Sequence, residues 1–388
     1  MSNAPWAGTG YGAQTKLILK SLLDIGHKPT CFAFYGLAGG KLEYDGYTVL
    51  PNSDFDPWGN DVVGAHIQRS KSDCVISLID PFVLDTKIWT DLDVPWLAWT
   101  PIDSEGIGPA LQERLKSPNC SPIAMSDFGV QQMNRYDINV PARIYHAVDT
   151  EVFHPMDKNE CREFFTLPDE KDAYIIGMVM ANKGDRKQYP VQLRAISEWW
   201  QKNKDVPLYV FIHTEPTSMS MGWGMKDLVK YVGLEGRVLS TNQYDVSVVP
   251  FSTDQMAMLY NCFDLLMNVS AGEGFGIPIV EAQACGVPVM AGNFTSMPEL
   301  VKNGVVIDPL GKTLAPHYGY QFGCDPRDIQ EALDVIYRTG YIQTDAQMGR
   351  QWVIENCGLP VITDDWAEVL FEVERQAAVI KMDAQVSL

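Results

Sequence analysis

No run of apolar residues in this 388-residue sequence is long enough to cross a bilayer, and no leader of charged then apolar residues opens it. The first absence excludes a transmembrane helix, and the two together lead us to expect a cytoplasmic protein. Basic side chains are scarce: 30 Lys and Arg stand against 49 Asp and Glu, a formal charge of −19. So acidic a chain is a poor match for nucleic-acid phosphates or anionic lipid, and broad nucleic-acid binding is not expected. A local basic cleft stays compatible, since a diphosphate needs only two or three cations. The eight cysteines are scattered, with no C-x2-C pair and no His/Cys cluster at metal-ligand spacing. Reduced, buried thiols are therefore expected rather than disulfides or zinc. Low-complexity segments are also missing.

What is present centres on Asp264 to Leu300, DLLMNVSAGEGFGIPIVEAQACGVPVMAGNFTSMPEL. An apolar strand from Leu265 to Val269 runs into a loop of small residues. Pro278 then opens a helix and Gly286 closes it. Gly272, Gly274 and Gly276 leave room for a ligand to approach the backbone around Phe275. The amides of Gly276, Ile277 and the first helical turn suit a phosphate. Glu273 in the loop and Glu281 in the helix frame that opening. A carboxylate only accepts hydrogen bonds and so pairs well with vicinal hydroxyls. A phosphate site between two carboxylates fits a nucleotide-sugar, which carries ribose hydroxyls, a diphosphate and then sugar hydroxyls.

Glu273-x7-Glu281 within EGFGIPIVEAQACGVPV resembles the signature of retaining family 4 glycosyltransferases (glycosyl transferases group 1), which have the GT-B fold. The resemblance implies two Rossmann-like, doubly wound parallel-sheet domains facing a central cleft, with a C-terminal helix crossing back to the first. The residue pattern agrees with such an α/β chain. Strands read at Lys28–Tyr35, Asp73–Leu78, Pro95–Trp99, Pro122–Met125 and Ala142–Tyr145, with an extended pair over Leu42–Leu50 and a helix over Asp61–Gln68. A second alternation gives strands at Tyr174–Met180, Leu208–His213, Arg237–Ser240 and Gly304–Asp308, interleaved with helices. HAVDTEVFHP (His146 to Pro155) resembles the interdomain segment, with Ala147 in place of the usual glycine. We therefore expect domains at 1–155 and 156–363, the first completed by a helix from 364 to 388. A strand normally precedes the TGYG loop (Thr9 to Gly12). None reads there, so we expect a first sheet lacking that strand or a start lying upstream.

The loops after the strands hold the candidate residues. In Ala181 to Lys187 (ANKGDRK), Asn182 is a donor-binding candidate, and Arg186 and Lys187 are placed to neutralise a diphosphate, by a forked and a point charge respectively. The resemblance implies a basic clamp here. The spacing leaves open which of Lys183, Arg186 and Lys187 fills which role. Asp103, after AWTPI, is the preferred acceptor-side residue; Asp80, Ser126, Asp127 and His146 are weaker candidates. Gly10 and Gly12 lie in a loop that the resemblance places against the donor diphosphate, and Tyr244, where family members bind the base, reads equally as a stacking residue or a surface turn. His213 and the Met-rich loop Met219 to Met225 read as packing or a lid.

The catalytic set expected is thus Glu273, Arg186, Lys187 and Asp103. Donor-binding residues are Gly10, Gly12, Asn182, Gly274, Phe275, Gly276, Ile277, Glu281 and Tyr244. The triplets Asp54-Phe-Asp56 and Asp91-Leu-Asp93 match a metal motif in spacing, but neither follows a buried strand, and neither a metal nor a cofactor is expected. The substrate is a UDP- or GDP-sugar, and the resemblance implies retention by front-face attack. The hydroxyl acceptor stays open among a saccharide, a lipid carrier, a small molecule, a protein and, as a minority option, a hydroxymethylated DNA base. Two other readings compete. Nucleotide-sugar 2-epimerases share the architecture but lack this Glu spacing, and a non-catalytic nucleotide-sugar-binding protein would suit a defective first sheet.

Overall fold

The computed structural model describes residues 1–53, 55–168, 170, 172–215, 222–242, 244–245, 248–339 and 346–386, with side chains as far as 376. Asp54 of the first D-x-D triplet and Met219 of the Met-rich loop lie outside the described residues. The chain divides into two compact units. One comprises Met1–Pro101, Ile107–Ala147 and Asn356–Leu388; the other comprises Ile102–Gly106 and Val148–Glu355.

The first unit runs β1 (Ser2–Asn3), α1 (Gly10–Asp24), β2 (Thr30–Tyr35), β3 (Leu42–Tyr44), β4 (Tyr47–Pro51), α2 (Val63–Ser70), β5 (Val75–Leu78), α3 (Thr86–Thr90), β6 (Trp96–Thr100), α4 (Pro109–Leu115), β7 (Cys120–Ala124), α5 (Asp127–Arg135) and β8 (Ala142–Arg143). Its strands form the orders β3-β4-β2-β1 and β5-β6-β7-β8, parallel except for the β3–β4 hairpin. The first strand expected to be missing is therefore present as a stub of two residues. Ser2 pairs with Ala33 and Asn3 with Tyr35, while Met1 accepts from Leu78 N (2.9 Å) and donates to Ile76 O (2.7 Å), so the stub joins the two strand groups. Periodicity has no purchase on so short a strand. Asn3 also donates to Thr9 Oγ1 at 2.7 Å, tying the stub to the cap of α1.

The second unit runs α6 (Lys158–Phe164), β9 (Tyr174–Val179), α7 (Tyr189–Lys202), β10 (Leu208–His213), α8 (Met225–Val232), β11 (Val238–Ser240), α9 (Thr253–Asn261), β12 (Leu265–Asn268), α10 (Ile277–Ala284), β13 (Val289–Gly292), α11 (Met297–Leu300), β14 (Gly304–Ile307), β15 (Gly311–Leu314), β16 (Tyr320–Gly323), α12 (Pro326–Thr339) and α13 (Ala346–Cys357). Six strands pair in parallel in the order β11-β10-β9-β12-β13-β14. Every residue of β12 is buried, as befits a central strand covered on both faces. The chain winds outward from β9 to β11, then returns to place β12 on the other side of β9. The loops after β9 and β12 therefore diverge at a topological switch point, where an open α/β sheet forms its crevice.

The last helix, α14 (Leu359–Val386), packs on α1 of the first unit; Thr363 Oγ1 donates to Ser21 Oγ at 2.8 Å. Trp366 is fully buried, edge-on to Trp99 at 5.4 Å. No helix among the described residues is long and apolar enough to cross a membrane.

Candidate functional site

At the switch point of the second unit, β9 delivers Arg186 and Lys187, and β12 delivers Glu273. The loop after β12 is fastened at each step. Ala271 N donates to Arg186 O (2.6 Å), Ala271 O accepts from Phe322 N (2.9 Å), and Glu273 N donates to Thr295 Oγ1 (3.1 Å). Ser296 Oγ donates to Glu273 O (2.8 Å) and Phe275 O (2.5 Å). Gly276 then takes a φ of 121°, which a side chain would strain, and caps α10 with Pro278 in the first turn. The amides of Gly276 and Ile277 thus head a short helix in the expected place, beside Gly274 and the buried Phe275.

Glu273 is buried with its partners in contact. Lys187 Nζ donates to one carboxylate oxygen, and Ser270 Oγ reaches the same oxygen at 2.7 Å. Arg186 Nη1 donates to the other at 3.1 Å and to Gly272 O at 2.6 Å. Desolvation pushes the Glu273 carboxyl up, but the charges of Lys187 and Arg186 outweigh it and hold the pKa at about 2. For Lys187, burial and the neighbouring Arg186 charge bring the ammonium down to about 8 against the pull of Glu273. At neutral pH the site therefore holds an ionised carboxylate beside two cations.

Asp103 reaches this cluster from the segment 102–106, with Oδ2 3.5 Å from Arg186 Nε. Its carbonyl oxygen lies so close to Gly272 that a Cβ there would come within 2.0 Å. Glu105 exchanges backbone hydrogen bonds with Tyr320 (3.0 and 2.8 Å), adding the segment to the β15–β16 hairpin, and Lys312 pairs with the Glu105 carboxylate at 2.8 Å. The hairpin tip brings His317 Nε2 to 3.1 Å from Ser104 Oγ and 3.9 Å from Asp103 Oδ1. Sequence reasoning missed this hairpin and His317 with it.

Glu281 lies one turn into α10, where Tyr260 Oη donates to its carboxylate at 2.6 Å. Desolvation raises its carboxyl to about 7, with the Tyr260 hydrogen bond opposing. The two glutamates of the motif thus differ in charge near neutrality: one is ionised throughout, the other poised at half-protonation. Tyr260 itself, fully buried on α9, carried no sequence signal.

Other expected residues sit differently. Asn182 is buried, and its amide serves the chain itself: Nδ2 donates to Glu215 O (3.1 Å) and Trp223 O (2.7 Å), and Oδ1 accepts from Trp223 N (2.9 Å). It fastens the strand-end loops rather than offering a side chain to a ligand. Tyr244 is 61% exposed, and nothing stacks on it among the described contacts. Gly10 and Gly12 belong to the first unit. Gly12 N donates to Thr9 Oγ1 at 3.0 Å, so that amide is taken by the helix cap; a Cβ at Gly12 would meet Ala7 O at 2.3 Å. Also in the first unit, His146 is buried against Trp99, its ring 4.3 Å away, and burial lowers its pKa to about 3. Asp91 and Asp93 flank the turn before β6, and among the described residues no group of His, Cys, Asp and Glu is arranged to hold a metal ion.

Residues 175–333, which carry the site's strands and both glutamates, match the family model of glycosyl transferases group 1. A D-inositol 3-phosphate glycosyltransferase of Mycobacterium marinum is 31% identical over 169 residues, which are 42% of this chain and 33% of that protein. The match thus spans about a third of the length of that curated relative. Solved structures align over nearly the whole chain. A glycosyltransferase from Rickettsia africae superposes with a TM-score of 0.69 at 18% identity, covering 94% of this chain and 95% of the other. A sucrose-phosphate synthase from Thermosynechococcus elongatus gives 0.75 at 14%, covering 95% and 94%. Anabaena HepE in complex with UDP and glucose gives 0.68 at 17%, covering 94% and 97%. The chain therefore has the α/β fold of the GT-B glycosyltransferases, and residues 175–333 of its second unit are similar to the glycosyl transferases group 1 domain.

Proposed function

We propose that this protein is a retaining, family 4 glycosyltransferase that moves a sugar from a UDP- or GDP-sugar to an acceptor hydroxyl without a metal ion. The observation that carries the reading is the buried Glu273 carboxylate, held ionised by Lys187 and Arg186 at the head of α10. In this reading Glu281, backed by Tyr260, accepts the ribose hydroxyls. Arg186, Lys187 and the amides of Gly276 and Ile277 take up the charge that develops on the leaving diphosphate. Glu273 accepts from the sugar hydroxyls and so fixes the anomeric carbon towards the acceptor. Asp103 stands on the acceptor side. The acceptor oxygen forms its bond to the anomeric carbon on the face from which the diphosphate oxygen departs, and that departing oxygen takes the acceptor's proton. We propose a cytoplasmic location, in keeping with eight scattered cysteines that include no C-x2-C pair.

The relatives point the same way: one is named for transfer to D-inositol 3-phosphate, and HepE was solved with UDP and glucose. The test is a panel of UDP-, GDP- and dTDP-sugars, scored by thermal stabilisation of the wild type and Glu281→Ala. Stabilisation by one nucleotide, weakened in the variant, supports the reading, and that donor then serves to screen acceptors. Stabilisation by none overturns it. Isomerisation of the donor without transfer would instead identify an epimerase.

A further inference from the structure

We propose that His317, at the tip of the β15–β16 hairpin, is a positioning residue that acts through Asp103 to release Arg186 for an incoming diphosphate. The inference rests on the donor site proposed above and concerns how that site rearranges when a diphosphate enters it.

The hairpin contributes little to the core. All of β15 is exposed, and a two-stranded hairpin by itself is marginal in water. Its attachments are to the two segments that carry the candidate acids. Backbone bonds join Tyr320 to Glu105 and Phe322 to Ala271, and Lys312 pairs with Glu105. The turn of the hairpin, in which Ala315 N donates to Gly319 O and Tyr318 N donates to Ala315 O, then delivers His317 to Ser104 and Asp103.

Charge accounts for what His317 does there. Asp103 stands between two nitrogen groups, Arg186 Nε on Oδ2 and His317 Nε2 on Oδ1. The neighbouring ion pairs are Glu105 on the same segment with Lys312 on β15, and Glu273 from the loop after β12 with Arg186 and Lys187 from the loop after β9. Arg186 and Lys187 are balanced by Asp103 and Glu273, and Lys312 by Glu105. A diphosphate brings at least two further negative charges. If Arg186 turns its fork to the phosphates, Asp103 loses its cation, and a protonated His317 on its other oxygen replaces it. Histidine can supply that charge because its protonation changes near neutrality.

The test is titration calorimetry of the full chain with UDP and with GDP at pH 6 and pH 8, on wild type, His317→Gln and His317→Arg. The nucleotides titrate as well, so the readout is the difference between proteins. With whichever nucleotide binds, the affinity ratio between pH 6 and pH 8 should be about two- to fivefold larger in wild type than in His317→Gln, the size of a partly exposed ion pair. His317→Arg should keep the tighter value at both pH values, which a purely structural role for the imidazole would not produce. An equal pH ratio in wild type and His317→Gln overturns the role of His317 while leaving the donor site standing. Failure of the wild type to bind either nucleotide overturns the donor site and this inference with it.

Discussion

Tyr260 donates its hydroxyl hydrogen to Glu281 across 2.6 Å, and the Glu281 carboxyl still titrates near 7. One hydrogen bond is thus too weak to offset desolvation at this position. Glu273, in the preceding loop, is buried too but has two cations beside it and titrates at about 2. The two acids of one motif are separated by their surroundings alone.

This separation predicts a pH-dependent stability. With the Glu281 pKa raised from 4.5 to about 7, the folded chain holds a proton that the unfolded chain has released. The stability this contributes is complete below pH 4.5 and lost as pH rises through 7. Glu281→Gln mimics the protonated form and keeps an acceptor for Tyr260. It should leave the melting temperature unchanged at pH 4 and raise it at pH 8, where it adds up to about 3 kcal/mol of stability. Melting curves at both pH values check this; an equal shift at the two would rule out the titration.

Glu273 has the opposite sign. Its depressed pKa means that its contribution is present above about pH 4.5 and lost as pH falls towards 2. At pH 7, Glu273→Gln takes the buried negative charge away from Lys187 and Arg186. Arg186 is a third exposed, and Lys187 can shed its proton, which moderates the loss to about 2 kcal/mol. If Glu273 orients the sugar, transfer should fall by about 10²-fold or more while UDP or GDP binding changes by less than about threefold. Chemical denaturation and steady-state kinetics separate the two effects. Equal losses in nucleotide binding and turnover would reduce Glu273 to a structural role.

The parts of this arrangement that the sequence revealed are those with strong local chemistry. β12 is apolar up to Asn268 and followed by glycines and Pro278, so its strand, loop and helix could be read directly. Arg186 and Lys187 were picked from one strand-end loop and Glu273 from another, and the parallel sheet brings these three together, while Asp103 joins them from the segment 102–106. Other features had no local signal. β15 and β16 are four residues each and largely exposed, so alternation could not mark them, and His317 went with them. Tyr260 meets Glu281 only because α9 packs on α10. The stub at Ser2–Asn3 is defined by its neighbours in the sheet, which no window of sequence contains.

Asn182 is the residue whose expected role changes most. Truncation to Ala removes three hydrogen bonds between the loop after β9 and the backbone at Glu215 and Trp223. Two carbonyls and one amide would be left without these partners, at a cost of about 2–3 kcal/mol. Nucleotide affinity in the folded fraction should change by less than about threefold. Thermal melting and calorimetry on Asn182→Ala check the pair of outcomes, and a large affinity loss with an unchanged melting temperature would return Asn182 to the donor site.

Gly272 tests whether the Asp103 segment and the Glu273 loop act as one piece. A methyl group at this position would sit 2.0 Å from Asp103 O and 3.1 Å from its carbonyl carbon, both backbone atoms with no rotamer to turn away. Either the segment 102–106 or the loop after β12 must shift. Overpacking of this kind costs about 1–3 kcal/mol. A shift of the segment pulls Asp103 from Arg186 and strains the backbone pairing of Glu105 with Tyr320. A shift of the loop instead disturbs the Arg186 Nη1 bond to Gly272 O. Gly272→Ala is therefore expected to lower transfer by about 10²-fold, as a displacement of about 1 Å can do. Nucleotide binding distinguishes the two movements: it should be preserved if the segment yields and weakened if the loop does. Wild-type turnover in Gly272→Ala would show that Asp103 has no part in the reaction geometry.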